Sequence, residues 1–531
     1  MRGRMICRED NVKGAIVFVG SELCFDNRGC VSDTGGGQGC CEEVGAMSSN
    51  FSGALKLANL NDFIAPSQAC VVTLSKNEKP VQKGLVQLQR KPAARFDQTL
   101  KDTDEPVRVT LHDCLACSGC ITSAETVMLE QQSTTEFLNR LKSGDSAVIV
   151  SLSPQSRASL ASHYNLTALQ AFKKLTTYFK SLGVKAVFDT SCSRDLSLIE
   201  ACEEFVSLYR ESHGLQKDTS SKKPRSLPVL ASACPGWVCY AEKTHGSKIL
   251  PFISTVKSPQ QVMGAIIKRH AWKMLGIRPD NIYHVTVMPC YDKKLEASRD
   301  DFLFAVDGAQ SESQLQIAEV DAVLTSGEVL DMLESQQVEF MSLEEAPLDK
   351  LLTNLDEGDH LYGVLGGSGG YVDTIFRYAA RTLFGKEITG QLDYRTLRNT
   401  DFREVTLEHD GKVVLRFALA YGFRNIQTVV RKIKTGKFEY DFVEVMACPA
   451  GCLNGGGQIK PKKEQSAKEL IQNLESVYLK EVDVKDPFNN PVVKGLYDEW
   501  LQHPRSARAL DIMHTTYHNR EMSLGSKLND W

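Results

Sequence analysis

No stretch of this chain is apolar for long enough to cross a bilayer. Runs such as residues 147–152 fall far short of the roughly 20 residues that a membrane helix needs. Neither sign of charge dominates, since 62 Lys and Arg stand against 66 Asp and Glu for a net charge of −4. That balance argues against a nucleic-acid or membrane-surface binder, which would normally carry a basic face. No secretory leader is expected, because residues 1–10 and 14–20 are too weakly apolar for its hydrophobic segment. There is no internal repeat and no long low-complexity tract. Apolar residues, by contrast, are plentiful: 42% of 531 residues are hydrophobic, which excludes disorder as the dominant state. The length suits about three or four domains, or two large α/β lobes with extensions.

What the chain has in quantity is cysteine, 16 residues in all. In a small secreted domain an even count would suggest a disulfide framework. In a long chain without a leader, closely spaced cysteines are more often metal ligands in a reducing compartment. The first expectation is a cytosolic metalloprotein.

Four regions differ in character. Residues 1–46 carry Cys7, Cys24, Cys30, Cys40 and Cys41 beside a glycine-rich run, without periodicity. They read as a disordered extension, consistent with a gene-model artefact, and Met47 would itself serve as a start. Residues 47–145 form an N-terminal segment with a cysteine motif and a polar connector at 71–108, which holds eight Lys and Arg and three prolines. From 146 to 460 short β-branched runs at 147–152, 184–189, 227–231, 283–287, 320–324 and 442–445 alternate with helical patterns, one of them over 259–275. Such alternation predicts α/β layers with parallel sheets. Loops are expected at 211–226 and 342–359. Residues 461–531 read as a separate helical tail.

The first chemical signal is Asp113-Cys114-Leu-Ala-Cys117-Ser-Gly-Cys120. Three thiolates at this spacing can face one cubane, with Gly119 easing the tight wrap. The ferredoxin continuation would place a cysteine at position 124, where Ala124 stands, so a fourth ligand must come from a distance. Cys70 and the five upstream cysteines are candidates, and Cys70 leads because it lies nearest the ordered region. Zinc is the competing occupant, although four-cysteine zinc sites usually use two separated pairs.

A second set shares a local setting. Cys234, Cys290 and Cys448 each lie just past a predicted strand, and Cys452 follows four residues later. Open α/β sheets bind ligands at such strand ends. The glycines of Cys448-Pro-Ala-Gly-Cys452-Leu-Asn-Gly-Gly-Gly-Gln458 permit close backbone approach, and their N–H groups can donate to cluster sulfide. Cys192, Cys202 and Cys239 read as small core hydrophobes. His112, His163, His284 and His514 read as structural histidines.

The motifs Ser232-Ala-Cys-Pro-Gly-Trp237, Met288-Pro-Cys-Tyr-Asp-Lys-Lys294 and Met446-Ala-Cys-Pro-Ala-Gly-Cys-Leu-Asn-Gly-Gly-Gly-Gln458 resemble the three signatures of [FeFe]-hydrogenase catalytic domains. Ser258-Pro-Gln-Gln261 and Leu365-Gly-Gly-Ser-Gly-Gly370 resemble further blocks of that fold. The segment 490–517, with His514-Thr-Thr-Tyr, is similar to its small-subunit tail. Together with Phe51-Ser-Gly-Ala-Leu, the Asp113–Glu125 block and Ser153-Pro-Gln-Ser-Arg157, they resemble the eukaryotic, non-hydrogenase branch: the cytosolic iron–sulfur assembly component 3, or nuclear prelamin A recognition factor-like, family. The resemblance runs from about residue 51 to 531.

That resemblance implies a two-lobed α/β fold with parallel sheets, a small N-terminal cluster segment and a helical tail. It implies two [4Fe-4S] clusters, one on Cys70, Cys114, Cys117 and Cys120, the other on Cys234, Cys290, Cys448 and Cys452. It also implies work in cytosolic iron–sulfur assembly, between a P-loop NTPase scaffold and a targeting complex of WD40-propeller and HEAT-repeat type. The expected compartment is the cytoplasm, with the nucleus second. Hydrogenases usually carry a proton-relay cysteine where this chain has Ala233, whose methyl has no exchangeable proton. Lys293, which in hydrogenases would contact a cyanide of the di-iron unit, is retained. A non-enzymatic protein is therefore expected. A residual hydrogenase-type redox enzyme and a zinc-holding prelamin-interacting protein are the alternatives. The chain ends on Asp530 and Trp531, and the resemblance implies that the targeting complex reads this carboxy-terminal pair, although Asn529 departs from the apolar residue usual before it.

Overall fold

The computed structural model describes residues 131–215, 226–306, 315–463, 465–480 and 482–520. The expectations for residues 1–46, Cys70, His112, Cys114, Cys117, Cys120, Asp530 and Trp531 lie outside the described residues. In chain order the strands are β1 (Ala147–Leu152), β2 (Ala186–Asp189), β3 (Val229–Ala231), β4 (Ile282–Met288), β5 (Leu303–Val306), β6 (Leu315–Ala318) and β7 (Ala322–Thr325). They continue with β8 (Leu361–Gly363), β9 (Arg395–Thr396), β10 (Phe402–His409), β11 (Lys412–Tyr421), β12 (Phe442–Met446) and β13 (Val482–Val484).

The first sheet has the order β2-β1-β4-β7 and is parallel throughout. Its strands are apolar on both faces because both are covered. Val148, Val150 and Leu152 enter one core with Phe172 and Phe179, while Ile149 enters another with Val262 and Ile266. Helices cover a parallel sheet because each crossover must carry the chain back over a face to the end where the next strand starts. The helix Pro154–Tyr164 starts where the Ser153 hydroxyl accepts from the Ser156 N–H and Pro154 fills the first turn. The helix Ala168–Ser181 starts with a capping box between Thr167 and Gln170.

The second sheet runs β3-β12-β11-β10-β9. β3, β12 and β11 are parallel, whereas β10 and β9 are antiparallel, so this sheet is mixed and not wholly parallel as expected. The reason is the β10–β11 hairpin, closed by Asp410 and Gly411 with φ of 50° and 72°. Two successive left-handed residues match the natural twist of paired strands. Phe205 packs edge-on against Phe417 and Phe442 of this sheet, with centroids at 4.9 and 5.8 Å.

The helix Ser191–Ser212 joins the two halves. Cys192, Leu196 and Ile199 belong to the core of the first sheet, while Leu198, Cys202 and Phe205 belong to that of the second. The helical pattern at 259–275 is realised as α-helix over Pro259–Ile266 and Trp272–Leu275, with a π turn at Ile267–Ala271 between them. The tail contains helices Ala467–Leu479, Pro491–Leu496 and Ala507–Met513, but it does not fold apart. β13 pairs with β8, and Val493, Leu496, Leu501 and Met513 share one core with Ile149 and Val262. Among the described residues, no helix is long and apolar enough to cross a membrane.

Candidate metal centre

The described cysteine set lies where the two sheets meet. Cys234 follows β3 and caps the helix Pro235–Thr244, whose first turn Pro235 preorganises. The Ser232 hydroxyl accepts from the Cys234 N–H at 3.0 Å, while donating to the Val445 carbonyl of the neighbouring strand. Cys290 follows β4 of the other sheet, and the helix Asp292–Ala297 begins two residues later. Cys448 follows β12. Between it and Cys452 the backbone folds back through Ala450 (φ 57°) and Gly451 (φ 76°), with the Gly451 N–H donating to the Cys448 carbonyl at 3.1 Å. The Cys452 N–H then donates to Ser368 Oγ at 2.9 Å.

These four thiols sense one another. The Ala447 N–H points at Cys234 Sγ from 3.5 Å. Burial first, then Asp292 and the sulfurs of Cys234 and Cys448, push the Cys290 thiol well above its ordinary value. Burial first, then Cys234, pushes the Cys452 thiol up to about 12. Burial also raises Cys234, against the pull of the Ala447 and Trp237 N–H groups and Lys293. Buried thiols crowded with carboxylates stay protonated on their own; a polycationic centre is what converts such a set to thiolates. Among the described residues, no three His, Cys, Asp or Glu side chains are drawn in tightly enough to hold a single metal ion. The donor chemistry, four cysteine sulfurs, suits an iron–sulfur cluster.

The glycine-rich loop after Cys452 is held close. The Gly457 N–H donates to the Pro289 carbonyl at 2.9 Å, and a Cβ on Gly457 would come 2.7 Å from the Thr325 side chain and 3.2 Å from Cys290 Cα. Only a residue without a side chain lets this loop lie against the Cys290 strand end.

Beside Cys452 lies a narrow cavity of about 50 Å³, lined by Ala233, Met288, Pro289, Lys293 and Ser368 among others. Lys293 is buried and its Nζ is 2.7 Å from Glu296 Oε2, a carboxylate that Ser258 also meets at 2.9 Å. The retained lysine is therefore engaged within the protein.

Cys192 and Cys202 are fully buried core residues, as expected. Cys239 is not: it is half-buried on the helix Pro235–Thr244 and lines a small cavity with Arg299. His284 is a satisfied core histidine, with Nε2 2.9 Å from Ser151 Oγ and Nδ1 3.2 Å from the Glu319 carbonyl. His514 likewise lies between Thr255 and Glu200. Sequence reasoning gave Ser368 no role of its own. The only signal was a lone serine among the glycines of 365–370, and spacing alone does not say what it touches.

Comparison with known proteins fits this geometry. Residues 146–456 match the family described as iron only hydrogenase large subunit, C-terminal domain, and residues 467–520 match iron hydrogenase small subunit. Protein NAR1 of Arabidopsis thaliana is 58% identical over 91% of this chain and 100% of its own length. Cytosolic iron-sulfur assembly component 3 of Mus musculus is 48% identical over 89% of this chain and 97% of its own. A solved [FeFe]-hydrogenase of Chlamydomonas reinhardtii superposes with a TM-score of 0.62 at 25% identity, covering 73% of this chain and 99% of that one. The chain belongs to the iron-only hydrogenase-like family, in the branch that contains the cytosolic iron–sulfur assembly components.

Proposed function

We propose that this protein works in cytosolic iron–sulfur cluster assembly as an iron–sulfur protein holding two [4Fe-4S] clusters. The observation that carries the reading is the convergence of Cys234, Cys290, Cys448 and Cys452 from the ends of β3, β4 and β12 into one electrostatically coupled set. Such a cluster, when bound, supplies one-electron redox capacity and iron and sulfide that can be kept or passed on. The chain's own residues bury the sulfurs and place N–H donors around them. The second cluster is assigned to Cys70, Cys114, Cys117 and Cys120.

The protein is not an enzyme in this reading. The cavity wall carries the Ala233 methyl where a proton donor would be needed, and Lys293 is paired with Glu296. Its traffic is with proteins: an early P-loop NTPase scaffold on one side and a WD40-propeller and HEAT-repeat targeting complex on the other, the latter reading Asp530 and Trp531. Neither nucleic acid nor membrane is a partner. The site of action is the cytoplasm, and cytosolic and nuclear apoproteins are the recipients.

The test is iron and acid-labile sulfide per chain after anaerobic purification. Two cubanes' worth is expected, and Cys452→Ala and Cys117→Ala should each remove about one. Zinc without sulfide would sink the proposal. Infrared bands of iron-bound CO and cyanide would favour the hydrogenase alternative. Loss of the targeting complex on Trp531→Ala, with iron unchanged, would support the carboxy-terminal role.

A further inference from the structure

Residues 515–520 follow the last helix as a stretch without helix or strand. Thr515 and Tyr517 line a small cavity of about 30 Å³ whose other walls include Ser232, Cys234, Cys239 and Arg299. The stretch therefore forms one wall beside the Cys234 corner of the metal centre. It leaves the body at Met513, which is fully buried in the core around Ile149. The next two residues are still tied down. The Thr515 N–H donates to the Thr255 carbonyl at 2.8 Å, and His514 lies between Thr255 and Glu200.

Beyond them the contacts change in kind. Tyr517 Oη donates to the Ser254 carbonyl at 3.0 Å. The His518 N–H donates to Glu242 Oε1 at 3.0 Å, and its Nε2 lies 2.5 Å from Asp301 Oδ1. The Arg520 N–H donates to the Glu242 carbonyl at 3.0 Å, and its Nε lies 3.7 Å from Glu242 Oε2. The two carboxylates that receive this segment are already paired without it. Arg299 donates from Nη1 and Nη2 to both Glu242 oxygens at 3.0 and 2.8 Å, and from Nη2 and Nε to Asp301 Oδ2 at 2.8 and 3.1 Å.

That arrangement decides what lifting the segment costs. Glu242 is 1% exposed, and a buried carboxylate left alone would be expensive. Here it keeps a bidentate arginine when residues 516–520 leave, so no charge is stranded. His518, by contrast, has 52% of its side chain exposed, and ion pairs that near water contribute little. Water can replace the closing contacts, while their seat stays paired.

We infer that residues 516–520 are a latched strap over the Cys234 flank of the metal centre, closed by Tyr517, His518 and Arg520 against Ser254, Asp301 and Glu242, and that its opening sets how fast iron leaves that centre. The inference rests on the proposed assignment of Cys234 to a cluster. Lifting the strap withdraws one partly buried ring, Tyr517, from the edge of the second sheet's core and leaves the buried members of both cores in place. A centre that passes iron and sulfide on is served by a flank that uncovers through local opening, without global unfolding.

The experiment follows iron release from the anaerobically purified full chain to the ferrous chelator bathophenanthroline disulfonate, after iron and sulfide have been counted. His518→Ala combined with Arg520→Ala unlatches the strap, and Tyr517→Phe removes one bond while keeping the ring. Both should start with wild-type iron and the wild-type melting temperature. The double variant should lose one cluster's iron roughly fivefold faster, the factor that a weak ion pair supplies. The other cluster should keep its rate, and Tyr517→Phe should fall between. In a Cys117→Ala background, all the remaining iron should leave faster. Unchanged release in both latch variants at full starting iron overturns this inference alone. Equal acceleration of both clusters does so too, because it marks general loosening. Wild-type protein without two clusters' worth of iron overturns the cluster assignment, and the inference with it. If the double variant starts short of iron, Tyr517→Phe decides.

Discussion

Gly451 and Ser368 approach so closely that a Cβ on the glycine would sit 1.8 Å from the serine hydroxyl oxygen. The two come from loops more than eighty residues apart, and the contact lets the Cys452 N–H reach Ser368. Gly451 also has φ of 76°, which costs an L-residue about 1–2 kcal/mol. Gly451→Ala should therefore open the Cys448–Cys452 turn and lower iron by about one cluster per chain, as measured by iron content after anaerobic reconstitution. Full iron in that variant would mean that the turn is held by other contacts.

His284 should make the fold acid-sensitive. Burial holds this imidazole neutral and lowers its pKa from the ordinary 6.5 to about 3. Below pH 6.5 the unfolded chain takes up a proton that the folded chain refuses. Stability present above that pH is thus lost progressively as pH falls toward 3, by on the order of several kcal/mol. His284→Gln should flatten that part of the dependence, read as denaturant midpoints between pH 7 and the lowest pH at which the protein stays soluble. An unchanged slope would assign the acid sensitivity to other groups.

Arg157 and Asp189 form a buried ion pair with 3% and 1% of their surfaces exposed, and Asp189 also accepts the Ser191 N–H at 2.9 Å. Removing one partner leaves the other charged and out of water, which typically costs about 3–5 kcal/mol. Arg157→Met should cost that much, and adding Asp189→Asn should recover part of it. Additive losses in a double-mutant cycle by chemical denaturation would show that the pair is not coupled.

Cys192 and Cys202 give a control of opposite kind. Each is fully buried among apolar side chains, one in each core. Their replacement by Ala should leave iron per chain unchanged and cost about 1 kcal/mol of stability through lost packing. A fall in iron would assign them a ligand role that their surroundings do not suggest.

Local pattern goes far in this protein where chemistry and chain direction coincide. The runs read at 227–231, 283–287 and 442–445 fall on β3, β4 and β12, and Cys234, Cys290 and Cys448 follow those strand ends. The β10–β11 hairpin escaped a search for isolated β-branched runs between helices. Its signal is the Asp410-Gly411 pair between alternating segments, a turn chemistry that local reading can recognise. The tail read as separate because its apolar faces are evident in sequence, while their destination in the core around Ile149 is not.

Spacing and residue type single out Cys234, Cys290, Cys448 and Cys452 as candidates, because a thiol after a strand is a local fact. Which sulfurs meet is not local. Strand β12 lies between β3 and β11 with Glu444 opposite Ala231 and Tyr421 opposite Met446, and this register aligns Cys234, Cys448 and Tyr421 at one edge. Cys290 arrives from the first sheet, which the helix Ser191–Ser212 joins to the second by entering the core of each. The same long-range packing brings Ser368 to the Cys452 N–H and Tyr421 to Glu444. Their bonds depend on offsets of a few ångströms between segments distant in sequence, and no periodicity along the chain encodes those offsets.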